Sequence, residues 1–510
     1  MKRTTASIAI ALLLACWSAI SAYPQSKAMQ KAVSTSRSNT FKSGVFSVLA
    51  VKMNGDTVAC VNSRVKMVPA SNMKLITTGI SLLKLGPDYR FETKLGYSGE
   101  IEGGTLKGNL YIIGGGDPTT GSSSECAESL HSLFGKWKGI LSKAGIKRID
   151  GNIIGDPRFF EMMSQENFGW SYEDIGNEDG AGINGLNFYE NKQTFYVTPA
   201  PTPGGKNFVR PRYPETPWMT VGNRSLTSNP NTPNTLSYVN TGFGPYGEIR
   251  GYFPVNGRGA TMTCDNEFGA YTCAFYFFRY LASAGITVTG TFGDVSPQGF
   301  IRTDLHYSEF GTMAPPVDEL TVLGSTFSPT LAEIARDTNK KSNNFFAETL
   351  MHTMGQTLGG SAEYGTCCTV VENALASIGA KTGDSCRIFD GSGLSRKNYA
   401  SADFFVRYLK AMTKTKVYQV FLESLANPMD RKSTITGYFS RYPDDFRSRV
   451  YCKTGSMNGV RCYSGYILPS NGNPAETIVF SVLTNNVTAG TYAVSGALQE
   501  LLAAIASENY

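Results

Sequence analysis

Two short polar motifs whose side chains must meet to act together lie 271 residues apart (342 − 71) in this 510-residue chain. The first is Ser71-Asn72-Met73-Lys74 and the second Ser342-Asn343-Asn344; a third, Lys453-Thr454-Gly455, follows near the end. In that order they are the parts of a serine acyl-transfer site whose base is lysine rather than histidine. A gap of this size requires the chain to leave a catalytic domain, build a large module and return.

Each motif sits in suitable local structure. Pro69-Ala70 interrupts the chain. Met73, Leu75, Ile76, Ile80, Leu82 and Leu83 then predict a helix opening at Ser71 and ending at Leu85-Gly86-Pro87. A spacing of three puts Ser71 and Lys74 on one helix face. A serine hydroxyl is a poor nucleophile until its proton is taken. Lysine takes it only when its pKa falls well below ~10.4. Burial and a neighbouring cation, here Lys453, lower it.

In the second motif, Ser342 is the expected proton relay to a leaving amine, and Asn344 the residue that holds Lys74 or a substrate amide. The third motif falls on a predicted strand. Alternation sends Lys453 and Gly455 to one face and Thr454 to the other, unless a sheet edge lets its hydroxyl reach the cleft. Lys453 and Thr454 are the candidate carboxylate binders, and the backbone N–H groups of Ser71 and Ser456 the candidate oxyanion hole. Singly, the motifs prove little: a capping Ser71 with a surface Lys74, a polar loop and an ordinary strand end fit as well. Lys381-Thr382-Gly383 repeats the third tripeptide in a loop after a helix end at Ile378-Gly379, and is a decoy. Order and local context carry the assignment.

The N-terminus reads as an export signal: Lys2 and Arg3, an apolar run from Ala6 to Ala15, then small residues to Ala22. Cleavage near Ala22 is expected. Leu13-Leu14-Ala15-Cys16 also resembles a lipoprotein box, so anchoring through Cys16, with peripheral or lipid-anchored membrane association, is the alternative. Export permits disulfides among the ten cysteines, and Cys264 with Cys273 or Cys452 with Cys462 are candidate local bridges. The cysteine spacings do not resemble a zinc site, and His131, His306 and His352 form no ligand-like cluster; no metal or cofactor is expected. The net charge of +6 is spread without a basic block, which argues against a nucleic-acid partner.

Along the chain, Phe46 to Val61 predicts a hairpin turning at Asn54-Gly55-Asp56, and Ser129 to Ala144 a helix among short strands. Pro199 to Pro217 opens a β-rich stretch with strand-like pieces to Val295. Helical patterning returns from Pro329 to Leu358 and from Tyr364 to Gly379. A meander (Val450–Gly455, Gly459–Leu468, Ile478–Thr484) and an amphipathic helix, Tyr492 to Ser507, end the chain.

At this level the chain resembles the class C low-molecular-mass penicillin-binding proteins, which are D-alanyl-D-alanine carboxypeptidases and endopeptidases. The likeness runs beyond the three motifs. It includes Leu85-Gly86-Pro87, Gly116-Asp117-Pro118, Ile149-Asp150-Gly151-Asn152, Gly180-Ala181-Gly182, Leu186-Asn187, Glu190-Asn191 and Asp390-Gly391-Ser392-Gly393-Leu394-Ser395. It departs at Asn343, where several members carry Asp, and at Met457-Asn458. The resemblance implies an α/β (α+β) fold: a transpeptidase-like, β-lactamase-like serine acyltransferase domain split by a large β-rich two-part insertion. The expected parts are a signal peptide (1–22), a split catalytic domain (30–90 and 310–510), an inserted domain (91–198 and 263–309) and a nested β-rich subdomain (199–262).

It further implies Ser71 as nucleophile, Lys74 as base, and peptidoglycan stem peptides ending in D-Ala-D-Ala as substrate, with β-lactams acylating the same serine in a periplasmic protein. A serine β-lactamase or esterase of the same fold is the alternative, and an inactive cell-wall binding protein a third reading. No Glu motif for fast deacylation is evident, and every role in the site has a candidate, which favours the peptidase.

Overall fold

The computed structural model describes residues 26–160, 166–240, 244–306 and 311–509; the expected export signal and Cys16 lie outside them. Both ends of the chain build one five-stranded antiparallel sheet, in the order Thr57–Val61, Val45–Lys52, Ile478–Asn485, Val460–Ile467, Val450–Met457. The expected hairpin and meander are its two halves. Strand Ile478–Asn485 lies in the middle and is buried along its whole length. Its side chains alternate between two apolar cores. Phe480 and Val482 share one with Ala28 and Ala32 of helix Lys27–Ser36 and with Leu498 and Leu501 of the final helix, Thr491–Ala506. Val479 and Leu483 share the other with Ile76 and Ile80 of helix Met73–Lys84 and with Phe405 and Leu409 of helix Ala402–Met412. Each of the larger of these side chains (Val, Leu, Ile, Phe) contributes about 1.5–3 kcal/mol by leaving water.

Everything between residues 61 and 450 is thus topologically inside this sheet. Part of it returns as helices Leu331–Lys341, Asn344–Met354 and Tyr364–Ser377, which pack on helix Met73–Lys84. The rest builds a six-stranded sheet in the order Ile301–Arg302, Phe292–Val295, Ile153–Asp156, Leu110–Ile113, Glu92–Tyr97, Thr321–Phe327. Strand Thr321–Phe327 closes one edge, pairing antiparallel with Glu92–Tyr97. Smaller sheets hold residues 192–265, among them Phe208–Arg212, Lys192–Thr198 and Ala260–Asp265 side by side.

Three local expectations are corrected. The β-rich stretch does not run unbroken to Val295, because Gly269–Ser283 is a helix. Its aromatic content (Tyr271, Phe275, Tyr276, Phe277, Phe278, Tyr280) favours strand as a local preference. Packing overrides it: Cys273, Phe277 and Leu281 recur every four residues and bury against Phe134 and Trp137 of helix Leu130–Lys143.

The run from Pro329 to Leu358 is two helices, broken where Ser342 adopts the left-handed conformation with φ 60°. Finally, the nine described cysteines are free thiols. Cys264 sits on a strand and Cys273 on the helix after it. Cys452 and Cys462 stand opposite Gly465 and Gly455, and their side chains enter opposite cores. Among the described residues no helix is long and apolar enough to cross a membrane.

Candidate active site

Ser71 does not cap a helix. It lies in a single 3-10 turn, Ala70–Asn72, ahead of Met73–Lys84, and no side chain caps either element. Ala70, the residue before it, is buried and left-handed at φ 48°, a conformation that costs an L-residue about 1–2 kcal/mol. Two glycines hold it there. A Cβ on Gly455 would lie 2.5 Å from Pro69 O, and one on Gly393, itself at φ +83°, would lie 2.0 Å from Ala70 O. The edge strand Val450–Met457 and the Asp390–Ser395 loop therefore grip the nucleophile turn from two sides, and neither tolerates a side chain.

Lys74 is fully buried, so the surface-lysine reading fails. Its Nζ lies 3.0 Å from Ser71 Oγ, 2.5 Å from Asn344 Oδ1 and 2.8 Å from Ser392 O. A neutral amine has two N–H donors and one lone pair. The carboxamide and the carbonyl accept the two donors, which leaves the lone pair facing the serine hydroxyl. Burial lowers the Lys74 pKa to about 8, against the opposing pull of Glu348, Asp390 and Asp179.

Desolvation is the largest cause of the lowered Lys74 pKa, and the expected Lys74–Lys453 repulsion is present between the two buried amines. The repulsion registers at Lys453, whose ammonium burial and then Lys74 push well below its ordinary range. The two amines titrate against each other. A neutral Lys74 removes the repulsion but not the desolvation; Lys453 Nζ donates to Ser342 Oγ at 2.9 Å and to Thr454 O at 2.8 Å, within reach of a proton relay.

Ser71, Lys74 and Asn344 meet through these hydrogen bonds, and Lys453 meets Ser342. Ser342 is presented by the left-handed break between two helices, and Asn344 begins the second of them. Thr454, on the edge strand, places its hydroxyl 3.3 Å from Thr434 Oγ1 at the cleft. The decoy Lys381-Thr382-Gly383 lies in a loop before a short 3-10 turn, Gly383–Ser385.

Other residues of the site lie outside the three motifs. Asn344 Nδ2 donates to Asp179 O at 3.1 Å, and Asn343 Nδ2 to Glu190 Oε2 at 3.0 Å. Tyr189, Glu190 and Asn191 form a left-handed turn of three non-glycine residues that aims Glu190 at this contact. Burial alone would raise the Glu190 carboxyl, but Lys192, Ser122 and Asn343 outweigh it and hold it below its usual range.

Beneath Lys74, buried Glu348 accepts the backbone N–H groups of Ser392 at 2.7 Å and Gly391 at 3.1 Å, and so fixes the carbonyl that Lys74 uses. Burial and Asp390 raise its pKa to about 7. Glu348 stands one helical turn after Asn344, a four-residue spacing legible in the sequence once the helix is known.

Among the described residues one group has metal-ligand spacing: Glu166, Asp265 and Glu267, with ligand atoms within 4.8 Å of one another. Burial raises Asp265 to about 7 and Glu267 to about 8, and Asn240 Nδ2 donates to both. The amide of Asn240 reaches Asp265 and Glu267 but not Glu166, whose buried Oε1 has no partner among the described residues.

The sequence model of the D-Ala-D-Ala carboxypeptidase 3 (S13) family matches residues 39–302 and 308–505. The chain belongs to that family. It is a serine-type D-Ala-D-Ala carboxypeptidase, a hydrolase. It is similar to the D-alanyl-D-alanine carboxypeptidase of Actinomadura sp., 26% identical over 436 residues, 82% of this chain and 73% of that one. Its identity to the D-alanyl-D-alanine carboxypeptidase DacB of Haemophilus influenzae is 25% over 446 residues, 85% and 83% of the two chains. Penicillin-sensitive carboxypeptidase A of Dictyostelium discoideum is 25% identical over 465 residues, 87% of this chain and 83% of that one. The crystal structure of penicillin binding protein 4 from H. influenzae shares the fold, with a TM-score of 0.76 at 21% identity over 94% of this chain and 99% of that one.

Proposed function

We propose that this S13 carboxypeptidase is an exported enzyme that cleaves the D-Ala-D-Ala end of peptidoglycan stem peptides, and the corresponding cross-links, through an acyl-enzyme on Ser71. The observation that carries the reading is the triple coordination of buried Lys74 by Ser71 Oγ, Asn344 Oδ1 and Ser392 O.

Ser71 Oγ adds to the carbonyl carbon of the penultimate D-Ala while Lys74 takes the hydroxyl proton. The N–H groups of Ser71 and Ser456 receive the oxyanion. As the C–N bond breaks, the leaving nitrogen takes a proton from Ser342, which draws one from Lys453. Water then adds to the ester. Its proton returns through Ser342 to Lys453, and Lys74 gives its proton back to Ser71 Oγ, which frees the acid. Thr454, at the cleft edge, and Lys453 bind the terminal carboxylate.

β-Lactams present the same carbonyl to the same serine, and the relative named penicillin-sensitive supports acylation by them here. Cleavage near Ala22 or lipid attachment at Cys16 delivers the enzyme to the periplasm. The parts we assign are a catalytic domain split between 30–90 and 310–510, an inserted domain (91–198 and 263–309) and a nested β-rich subdomain (199–262); the pairing of Thr321–Phe327 with Glu92–Tyr97 favours extending the insert past residue 310.

Incubation with fluorescent penicillin and with a D-Ala-D-Ala muropeptide tests this. Label on Ser71 with D-Ala release is expected, and both disappear in Ser71→Ala. An unlabelled wild type, or a Ser71→Ala variant as active as wild type, rejects the assignment. Rapid turnover of the penicillin makes the protein a β-lactamase instead.

A further inference from the structure

The nested β-rich segment carries a net positive charge. Between residues 199 and 262 stand six cations (Lys206, Arg210, Arg212, Arg224, Arg250, Arg258) and two anions (Glu215, Glu248). Glu248 pairs with Arg224 and Arg250. Among the described residues no carboxylate forms an ion pair with Arg210 or Arg212. Both guanidiniums instead sit over one ring, 4.9 Å and 4.6 Å from the centroid of Tyr196. Two like charges two residues apart on one strand repel unless an anion joins them, and the ring fixes them where one can.

The strand register shows what surrounds them. Phe208, Arg210 and Arg212 stand opposite Thr198, Tyr196 and Thr194, so all six share one face of the sheet. Phe208–Arg212 is an edge strand, and charged residues there discourage pairing with other chains. Edge protection does not account for Phe208, which is 63% exposed on the same face and works against that purpose.

This face is continuous with the catalytic cleft. Lys192 opens the central strand and points to the same side as Tyr196. Its Nζ pairs with Glu190 Oε2, the atom that also receives Asn343 Nδ2. Tyr196 lies four residues further on, ~13 Å along an extended strand. An extended pentapeptide spans ~17 Å, so one substrate strand reaches both places.

We propose that the face formed by Tyr196, Phe208, Arg210 and Arg212 is a secondary binding surface for the carboxylate-bearing glycan–peptide polymer that the enzyme hydrolyses. The inference rests on the peptidase reading above. The paired guanidinium forks suit stem-peptide carboxylates, and the exposed Phe208 ring suits the apolar C–H face of a sugar. The surface holds polymer near the cleft and makes no contact with the scissile bond.

The test compares wild type with Arg210→Gln/Arg212→Gln, both as the full chain. Two substrates are used: insoluble peptidoglycan, scored by co-sedimentation and D-Ala release, and a short soluble D-Ala-D-Ala peptide. The double variant is expected to lose about fivefold in binding and in kcat/KM on the polymer, to keep its rate on the soluble peptide, and to lose the salt sensitivity of wild-type sedimentation. Unchanged polymer binding overturns the proposal. So does an equal loss on both substrates, which marks a packing role, or wild-type binding to anionic phospholipid vesicles but not to peptidoglycan. A wild type that releases no D-Ala from the soluble peptide rejects the peptidase reading, whereas arginine-dependent sedimentation with peptidoglycan supports the surface by itself.

Discussion

Asn343 does two jobs with one carboxamide: its Oδ1 caps helix Asn344–Met354 by accepting from Phe346 N at 2.9 Å, and its Nδ2 holds Glu190 Oε2 at 3.0 Å. The middle residue of the second motif, which has no expected chemistry, therefore ties the inserted segment to the catalytic cleft. An aspartate would keep the cap but set one carboxylate against another. Asn343→Asp is expected to lower kcat/KM about tenfold, since a lost charge-assisted bond and a new repulsion together amount to about 1.5–3 kcal/mol. Glu190→Gln added to Asn343→Asp should restore much of it, because the new amide at 190 donates where the Glu190 carboxylate accepted. A double-mutant cycle on penicillin acylation measures the coupling; additive losses would show that the contact is incidental.

The base must be neutral to act, and Lys74 titrates at about 8. Acylation by penicillin should rise with pH through about pH 8. Glu348 is among the charges that hold the proton on Lys74. Glu348→Gln removes that charge and should move the limb to lower pH, whereas a merely loosened loop would lower the rate at every pH. Stopped-flow acylation from pH 6 to 9 separates the two.

Gly393 and Gly379 share a positive φ, +83° and +81°, but only Gly393 has a neighbour, Ala70 O, within 2.0 Å of a built Cβ. Gly379→Ala is expected to cost about 1 kcal/mol and leave acylation intact. Gly393→Ala is expected to cost about 3 kcal/mol and to slow acylation, because Ala70 shifts and carries Ser71 with it. Thermal unfolding beside penicillin labelling reads both.

His352 is fully buried; its Nδ1 donates to Ala362 O and its Nε2 has no partner among the described residues. Burial lowers its pKa from 6.5 to about 4. Between those values the unfolded chain binds a proton that the folded one refuses, so stability falls as pH drops from about 6.5 to about 4, by about 3 kcal/mol, and this loss ends below pH 4. Denaturant titrations across that range should show a flatter acid limb in His352→Gln.

Ser71 and Lys74 were legible as partners because a helix repeats locally, and a spacing of three is enough to put two side chains together. The meander and the long excursion between Ser71 and Ser342 were legible for the same reason, from alternation and order along the chain; that Thr454 stands on an edge strand came only from the sheet order. The Gly269–Ser283 helix was not, since its aromatic residues prefer strands until Phe134 and Trp137 pack against them. Nor were Ser392 O as an acceptor for Lys74, Glu190 as a partner for Asn343, or the grip of Gly393 and Gly455 on left-handed Ala70. The sequence by itself determined the candidate chemistry: which groups are proposed to attack, accept and relay, and their order along the chain. Only the tertiary structure decided what holds those groups in place. These contacts join residues separated by 153 to 318 positions for the two hydrogen bonds named, and no local periodicity records a partner that far away.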